Sequence, residues 1–200
     1  KDLTTRCRQI FEEQKFDLNS IVKFEQEYTP ESAIWWYTSP YFIYSMLNGA
    51  LRNLQSEILI KMSFFIRDLH RQITQLHAQQ HKDNLSWIST VYRGQALPRE
   101  DFEKLMQTKG ILLSFNNFLS TTSEKDVASF LASANAQGSE LTPILFTIIV
   151  DSSKSTTPFA CINDLSYFHE EQEILFSMHT VFRVGEIKEK GDNDRPHEVH

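Results

Sequence analysis

The run Ile-Leu-Phe-Thr-Ile-Ile-Val at residues 144–150 is the longest strongly apolar stretch of this 200-residue chain, and it decides the fold class. Its length fits a buried strand and falls far short of a membrane span. Shorter β-branched or aromatic runs flank it, separated by turn-forming stretches such as 137–139 (Gln-Gly-Ser). The predicted strands are 88–92, 111–113, 118–119, 144–150, 174–176 and 181–184. Residues 86–188 are therefore predicted to form a sheet core.

The first 85 residues carry a helical pattern instead. Apolar residues recur at spacings of four and three from Ile58 to Leu76, which places them on one face of a long helix. A second stripe runs from Phe42 to Leu54 after Pro40, a helix-start signal, and an earlier helix is predicted over 6–16. We interpret these stripes as packing surfaces against the rest of the domain.

Two short helices interrupt the predicted strands. One covers 99–108 and ends at Gly110, and the other follows Ser123, a candidate N-terminal cap. Helices first and strands second, without alternation, predict an α+β fold with a mainly antiparallel sheet core. We expect one domain over 1–188, with a helical portion at 1–85 and the sheet core at 86–188, followed by a polar tail at 189–200.

Composition limits the classes of function. The formal net charge of −6 leaves no basic excess to neutralise phosphates, which argues against a nucleic-acid-binding protein. Cys7 and Cys161 are the only cysteines, too few for a disulfide-rich scaffold; a bridge between them and two reduced thiols both stay open. No spacing of residues matches a metal site. A monomer is the default expectation, and a cytoplasmic location is favoured with secretion left open.

Three short segments carry residues suited to catalysis. The first is 91–95 (Val-Tyr-Arg-Gly-Gln), where the permanent charge of Arg93 suits a pyrophosphate or a carboxylate and Gly94 lets a flat ring approach the backbone. A surface ion pair is the competing interpretation of Arg93. The second is 118–123 (Phe-Leu-Ser-Thr-Thr-Ser), where Ser120 is predicted to hold a carboxylate. A strand edge leading into a helix cap is the alternative there.

The third segment is 168–176 (Phe-His-Glu-Glu-Gln-Glu-Ile-Leu-Phe). Residues two apart on a strand share a face, so Glu171 and Glu173 are predicted to project the same way. Two like charges side by side resist burial, and a solvated acidic loop is the alternative interpretation. The apolar residues that follow Glu173 indicate that this carboxylate enters the core instead.

Together, these segments resemble the Arg, Ser-Thr-Ser and Glu-x-Glu motif series of the mono-ADP-ribosyltransferases similar to arginine-modifying clostridial toxins and vertebrate ecto-enzymes. The matching residues are Tyr-Arg-Gly at 92–94, Phe-Leu-Ser-Thr-Thr at 118–122 and Glu-Gln-Glu-Ile-Leu at 171–175. Each motif alone is weak, but their order and spacing make the joint match specific. Thr122 stands where the family has serine and keeps the hydroxyl. The resemblance covers nearly the whole chain except the tail.

The resemblance implies a two-sheet core with a cleft for NAD⁺, which is the co-substrate; no metal is needed. Glu173 would bind the 2′-hydroxyl of the nicotinamide ribose and stabilise an oxocarbenium-like state, and Ser120 would orient it. Arg93 would bind the phosphates of NAD⁺. Gly94, through its backbone, and Thr121 complete the cofactor-binding residues that the resemblance implies.

The resemblance also implies a target protein as acceptor. Glu171 would contact the acceptor, and a glutamate there favours arginine because family members that modify asparagine carry glutamine at that place. Tyr167 and Phe168 lie in the place of the family's substrate-recognition turn; packing into the core is the alternative for both. His169 is interpreted as an exposed or packing residue, since its surroundings match no metal-ligand spacing.

Two further hypotheses stay open beside the transferase. An NAD⁺ glycohydrolase of the same fold would pass the ADP-ribose to water and would keep the same Glu173. A catalytically silent interaction module would keep only the fold. The three residues Arg93, Ser120 and Glu173 argue against the silent module, because a binding module has no physical need for a buried carboxylate in a cleft.

Overall fold

The computed structural model describes residues 18–82, 90–136, 141–151, 157–189 and 196–200. The helices are α1 (Leu18–Glu27), a 3₁₀ turn (Pro30–Ser32), α2 (Ala33–Thr38), α3 (Phe42–Arg52), α4 (Ser56–Lys61), α5 (Ser63–Lys82), α6 (Arg99–Met106) and α7 (Lys125–Asn135). The strands are β1 (Thr90–Pro98), β2 (Leu112–Ser114), β3 (Leu119–Thr122), β4 (Leu141–Ile149), β5 (Phe159–Cys161), β6 (Glu173–Phe176), β7 (Val181–Arg183), β8 (Ile187–Lys188) and β9 (His197–Val199). The helix predicted over 6–16 and Cys7, with its possible bridge, lie outside the described residues. No helix in the described ranges is both long and apolar enough to cross a membrane.

The strands form one seven-stranded sheet in the order β5-β6-β3-β1-β4-β9-β8 and a second sheet of β2 and β7. All neighbouring pairs are antiparallel except β4 with β9. The predicted α+β class, with helices first and a mainly antiparallel two-sheet core after them, is confirmed.

Two predicted elements have different bounds in the structure. The stripe from Ile58 to Leu76 is divided between α4 and α5, with Met62 buried at the junction, so one apolar face continues across two helices. The first strand does not end near Arg93 but runs on to Pro98, paired with β4 from Thr90 through Pro98. Backbone pairing with the long strand β4 overrides the weak strand preference of the residues after Arg93.

The polar tail predicted over 189–200 does not hold for its last residues. His197–Val199 forms β9, which pairs in parallel with β4 and antiparallel with β8. Val199 is 3% exposed in the core beneath the sheet, and this single apolar side chain gives the strand its buried face. The polar composition around it hid the strand, because one buried residue makes no alternating pattern.

The core has two parts that meet at β6. Leu175 packs with the helical portion, in a cluster that includes Trp36, Leu47 and Phe65. Its neighbours Ile174 and Phe176 pack in the other cluster, beneath the sheet. Because successive side chains of a strand point to opposite faces, β6 contributes to both hydrophobic clusters. The packing of Leu175 thereby holds the sheet against the helices.

Helix α5 also covers the edge strand β5. The Gln80 side chain donates from Nε2 to the Cys161 carbonyl at 2.8 Å and accepts at Oε1 from the Cys161 amide at 3.0 Å. His77 Nδ1 lies 2.8 Å from the Phe159 carbonyl oxygen. These side chains satisfy backbone groups that an edge strand would otherwise expose.

Candidate active site

The centre of the site is a hydrogen bond between neighbouring strands. β3 and β6 pair antiparallel, with Ser120 opposite Leu175 and Thr122 opposite Glu173. This register lets Ser120 Oγ donate to Glu173 Oε1 at 2.5 Å. The Glu173 residue is only 8% exposed, so the predicted buried carboxylate and its predicted serine partner are brought together.

The environment of Glu173 perturbs its acidity. Burial raises the pKa of Glu173 to about 6, and the nearby charge of Glu171 adds to the increase. The hydrogen bond from Ser120 and the positive charge of Arg93 act in the opposite direction on this pKa. The carboxylate is therefore ionised at neutral pH while lying in a largely dry position, where its charge acts strongly on a nearby cation.

Arg93 lies within the sheet and joins β1 to β3. The two strands are paired in register only through Tyr92 and Thr122. Next to that pair, Arg93 Nη1 donates to the Ser120 carbonyl at 2.7 Å, and Arg93 Nε donates to Gln95 Oε1 at 3.3 Å. The guanidinium thus supports the backbone of Ser120, a contact that the strand-end interpretation of Arg93 did not anticipate.

Four consecutive hydroxyls at 120–123 hold the four residues 171–174. Besides the bond from Ser120 to Glu173, the acceptors are the Ile174 carbonyl for Thr121 at 2.7 Å, the Glu171 carbonyl for Thr122 at 3.3 Å and Gln172 Oε1 for Ser123 at 2.9 Å. Thr122, which stands where the family has serine, therefore uses its hydroxyl to hold the Glu171 carbonyl.

The role predicted for Ser123 as a helix cap is not observed. The N-cap position of α7 is Glu124, and the Glu124 amide donates to Thr122 Oγ1 at 3.1 Å. Ser123 instead donates its hydroxyl to Gln172. The sequence pattern alone could not separate these two neighbouring hydroxyls, because both precede an apolar helix.

Glu171 and Glu173 reach the same cleft for a different reason than predicted. β6 begins at Glu173, so Glu171 lies outside the strand and is exposed. Gln172 between them has φ 45°, in the left-handed region that few residues other than glycine adopt. Simple strand alternation therefore does not connect the two glutamates; a turn at Gln172 does.

Both glutamates line an open cleft of about 400 Å³ between the sheet and the helical portion. Ser120 and Phe168 complete its wall on the sheet and loop side. The helical portion contributes Tyr37, Thr38, Ser39, Pro40, Tyr41, Tyr44 and Ser45. Of the other predicted site residues, Arg93, Gly94, Thr121 and Tyr167 are not part of this wall. Thr121 is 3% exposed and uses its hydroxyl within the sheet.

Gly94 has a packing role that the sequence did not indicate. A Cβ built at this position would lie 1.8 Å from the Ala128 carbonyl oxygen and 2.7 Å from the Ala132 amide nitrogen, both in α7. The close approach that this glycine permits is thus the approach of a helix backbone. The role in NAD⁺ binding that the resemblance implies for the backbone of Gly94 stays a prediction.

The residues of the helical wall were not predicted from the sequence, and Tyr37 among them makes buried hydrogen bonds to both the sheet and α3. Its hydroxyl donates to the Phe118 carbonyl at 3.1 Å and accepts from Asn48 Nδ2 at 3.1 Å. Burial raises the pKa of Tyr37 well above its usual value, so this hydroxyl stays protonated. The available signal was Asn48, a polar residue within the apolar stripe of α3, since such a residue needs a buried partner.

The loop before Glu171 holds two exposed aromatic residues. Phe168 is 43% exposed and lines the cleft, whereas Tyr167 is 37% exposed. Tyr167 packs its ring 5.3 Å from Trp35, and its amide donates to Thr38 Oγ1 at 2.8 Å. Neither aromatic is buried in the core, which was the alternative for both. His169 is exposed, and its Nδ1 lies 2.9 Å from the Asn163 carbonyl oxygen.

Comparisons with known proteins bear on the family and the fold of this chain. A family model described as ADP-ribosyltransferase exoenzyme matches residues 25–197. The Vis toxin, an ADP-ribosyltransferase from Vibrio splendidus, is 18% identical with a TM-score of 0.61, over 100% of this chain and 86% of its own. A structure of Vis in complex with agmatine is 20% identical with a TM-score of 0.61, and the match covers 86% of this chain and 74% of that chain. The ADP-ribosyltransferase HopU1 of Pseudomonas syringae pv. Tomato DC3000 is 20% identical with a TM-score of 0.60, and the match covers 92% of this chain and 82% of that chain.

At these identities, the solved structures show a shared fold. No curated protein sequence is significantly similar to this chain. The family match, by contrast, spans most of the chain and includes all three motifs.

Proposed function

Because the chain belongs to the ADP-ribosyltransferase exoenzyme family and is therefore a mono-ADP-ribosyltransferase that uses NAD⁺, we propose that it modifies an arginine side chain of an acceptor protein. The resemblance that the three motifs indicated is confirmed by this membership. The acceptor residue and the roles of the individual site residues are the parts that we propose.

One observation carries the proposal: a buried carboxylate, Glu173, is held by Ser120 at the wall of an open cleft. Breaking the bond between C1′ of the ribose and the nicotinamide nitrogen leaves positive charge on the ribose, and the electron pair leaves with nicotinamide. A fixed, desolvated carboxylate stabilises such a charge because it need not reorganise. Glu173 in this position would bind the ribose 2′-hydroxyl and face the developing cation.

Arginine is favoured as the acceptor by the position and charge of Glu171. This glutamate is exposed and lines the same cleft as Glu173, and a carboxylate matches the fork of a guanidinium. It would accept the proton that the guanidinium nitrogen loses as that nitrogen bonds to C1′. The structurally similar Vis toxin has been solved in complex with agmatine, which carries a guanidinium group. By analogy, this supports the same class of acceptor here.

We assign Arg93 to the phosphates of NAD⁺ and Gly94, through its backbone, to nicotinamide, as the motif series implies. Arg93 already has its guanidinium at the junction of β1 and β3, next to the Ser120 carbonyl. Tyr167 and Phe168 are assigned to the acceptor protein because both are exposed on the loop that ends at Glu171. No role is proposed for a metal.

The test is transfer of label from NAD⁺ that carries a tagged adenylate to agmatine or polyarginine. Labelled acceptor is expected with the wild-type protein and not with Glu173→Ala. Glu171→Gln, which removes the charge and keeps the size, is expected to lower transfer more than it lowers nicotinamide release. Free ADP-ribose without labelled acceptor, across a panel of acceptors, would instead identify an NAD⁺ glycohydrolase. A folded protein that releases no nicotinamide would indicate a silent interaction module.

A further inference from the structure

Gln172 separates the two glutamates of the site and has an unusual backbone conformation. Its φ of 45° lies in the left-handed region, which is unfavourable for a residue with a Cβ unless its surroundings hold it there. Ser123 contacts both the side chain and the backbone carbonyl of this residue. Its hydroxyl donates to Gln172 Oε1 at 2.9 Å, and its amide lies 3.4 Å from the Gln172 carbonyl oxygen.

The conformation of Gln172 determines where the chain leaves β6. Glu173 is fixed by the pairing of β6 with β3 and by Ser120. Glu171 lies beyond the strand, where Thr122 donates to its carbonyl at 3.3 Å and its own amide lies 3.4 Å from the Phe168 carbonyl oxygen. The backbone conformation of Gln172 links this residue to β6. An extended Gln172 would continue the line of β6, so Glu171 would share the face of Glu173 but lie further along the strand direction than the observed φ places it.

We propose that Ser123 and Gln172 are a positioning pair, which sets the direction of the Glu171 carboxylate and so directs ADP-ribose to a guanidinium acceptor instead of water. This inference rests on the function proposed above. It assigns a role to two residues that neither contact Glu173 through their side chains nor line the cleft.

A purely structural role does not account for this pair. The hydrogen bond between Ser123 and Gln172 is exposed, and exposed hydrogen bonds contribute little to the free energy of unfolding. Gln172 itself is exposed. Gln172 thus has an unfavourable conformation, is held by an exposed hydrogen bond and lies next to Glu173. Such strained residues are typical of sites where the backbone positions a functional group.

Four variants separate the backbone effect from the hydrogen bond. Gln172→Val places a β-branched residue at a positive φ, whereas Gln172→Gly removes the same side chain but permits that φ. Ser123→Ala removes the hydroxyl, whereas Ser123→Thr keeps it. For each variant we would measure kcat and KM for agmatine transfer and, without acceptor, the rate of nicotinamide release.

Gln172→Val is expected to lower kcat/KM for agmatine about tenfold, mainly through KM, and to lower nicotinamide release by clearly less. Gln172→Gly is expected to lose less than Gln172→Val. Ser123→Ala is expected to lower transfer about threefold through loss of one hydrogen bond, and Ser123→Thr is expected to restore it. Thermal unfolding confirms that each variant is folded; if Gln172→Val does not fold, the comparison of Ser123→Ala with Ser123→Thr decides.

Parallel losses of transfer and nicotinamide release in the variants would overturn the inference, as would equal behaviour of Ser123→Ala and Ser123→Thr. A wild-type protein that releases nicotinamide but labels no agmatine would overturn the arginine proposal, and this inference with it. The wild-type control therefore distinguishes failure of the proposed function from failure of the positioning role alone.

Discussion

The two sides of the cleft are built in different ways. On the sheet side, strand register places Ser120 against Glu173, and every hydroxyl from 120 to 123 has a partner in 171–174. On the helical side, three tyrosines lie among smaller polar residues and a proline, and Tyr37 donates its hydroxyl to the Phe118 carbonyl at the sheet. This difference fits the function proposed above, in which the sheet side carries the bond-breaking chemistry and the helical side forms the opposite wall of the cleft.

The largest effect is expected from Glu173→Gln, which removes the charge at the centre of the sheet side. Loss of a fixed charge that stabilises a developing cation should lower nicotinamide release by about a hundredfold to a thousandfold. The glutamine can still accept a hydrogen bond from Ser120, so a folded protein is expected. Nicotinamide release is the measurement, and near wild-type rates in this variant would place the chemistry elsewhere.

Ser120→Ala is expected to have the next largest effect, about tenfold on nicotinamide release at neutral pH. The pKa of Glu173 is about 6, so activity that needs its ionised form is lost as the pH falls through about 6. The hydrogen bond from Ser120 holds this pKa down. Removing it should therefore move the midpoint of the pH–rate profile to higher pH. An unmoved midpoint would show that Ser120 does not act through Glu173.

Tyr37→Phe tests the helical side and should affect stability more than rate. It leaves the buried Asn48 amide and the Phe118 carbonyl without the tyrosine hydroxyl. Loss of these buried hydrogen bonds is expected to lower the free energy of unfolding by about 1–3 kcal/mol. Urea unfolding measures this value beside the rate of nicotinamide release. A rate loss as large as that of Ser120→Ala would remove the distinction between the two sides.

The smallest effect is expected from Thr38→Val, at the contact between the helical wall and the loop. Valine keeps the shape of threonine but cannot accept the hydrogen bond from the Tyr167 amide. We expect KM for agmatine to rise about threefold, because the loop that ends at Glu171 loses one anchor. Steady-state kinetics with agmatine measure this, and a larger effect on nicotinamide release than on KM would contradict it.

The placement of Ser120 against Glu173 on the sheet side could be predicted from the sequence because it follows strand rules. Charged and hydroxyl residues next to short apolar runs stand out, and the order of Arg93, Ser120 and Glu173 matched a family pattern. The turn at Gln172 could not be predicted, because a glutamine gives no signal for a positive φ. The same holds for the contact of Gly94 with α7, since a glycine in a sequence does not indicate which backbone will approach it.

The helical wall escaped prediction for a different reason. Tyr37, Tyr41 and Tyr44 sit among core residues such as Trp36 and Ile43, and their spacing is that of ordinary helix packing. Only the tertiary fold shows that these tyrosines line a cleft. Local patterns identify groups that are chemically unusual for their position, but they do not identify an ordinary aromatic residue that happens to face a cavity.

The contact between Gln80 and Cys161 has a consequence for how this molecule can meet others. The Gln80 amide offers one donor and one acceptor to a single residue of β5, which imitates the peptide group of a neighbouring strand. A peptide or a second copy that tried to add itself as a strand at this edge would first have to displace α5. Helix α5 therefore does more than pack: it closes this edge of the sheet to growth.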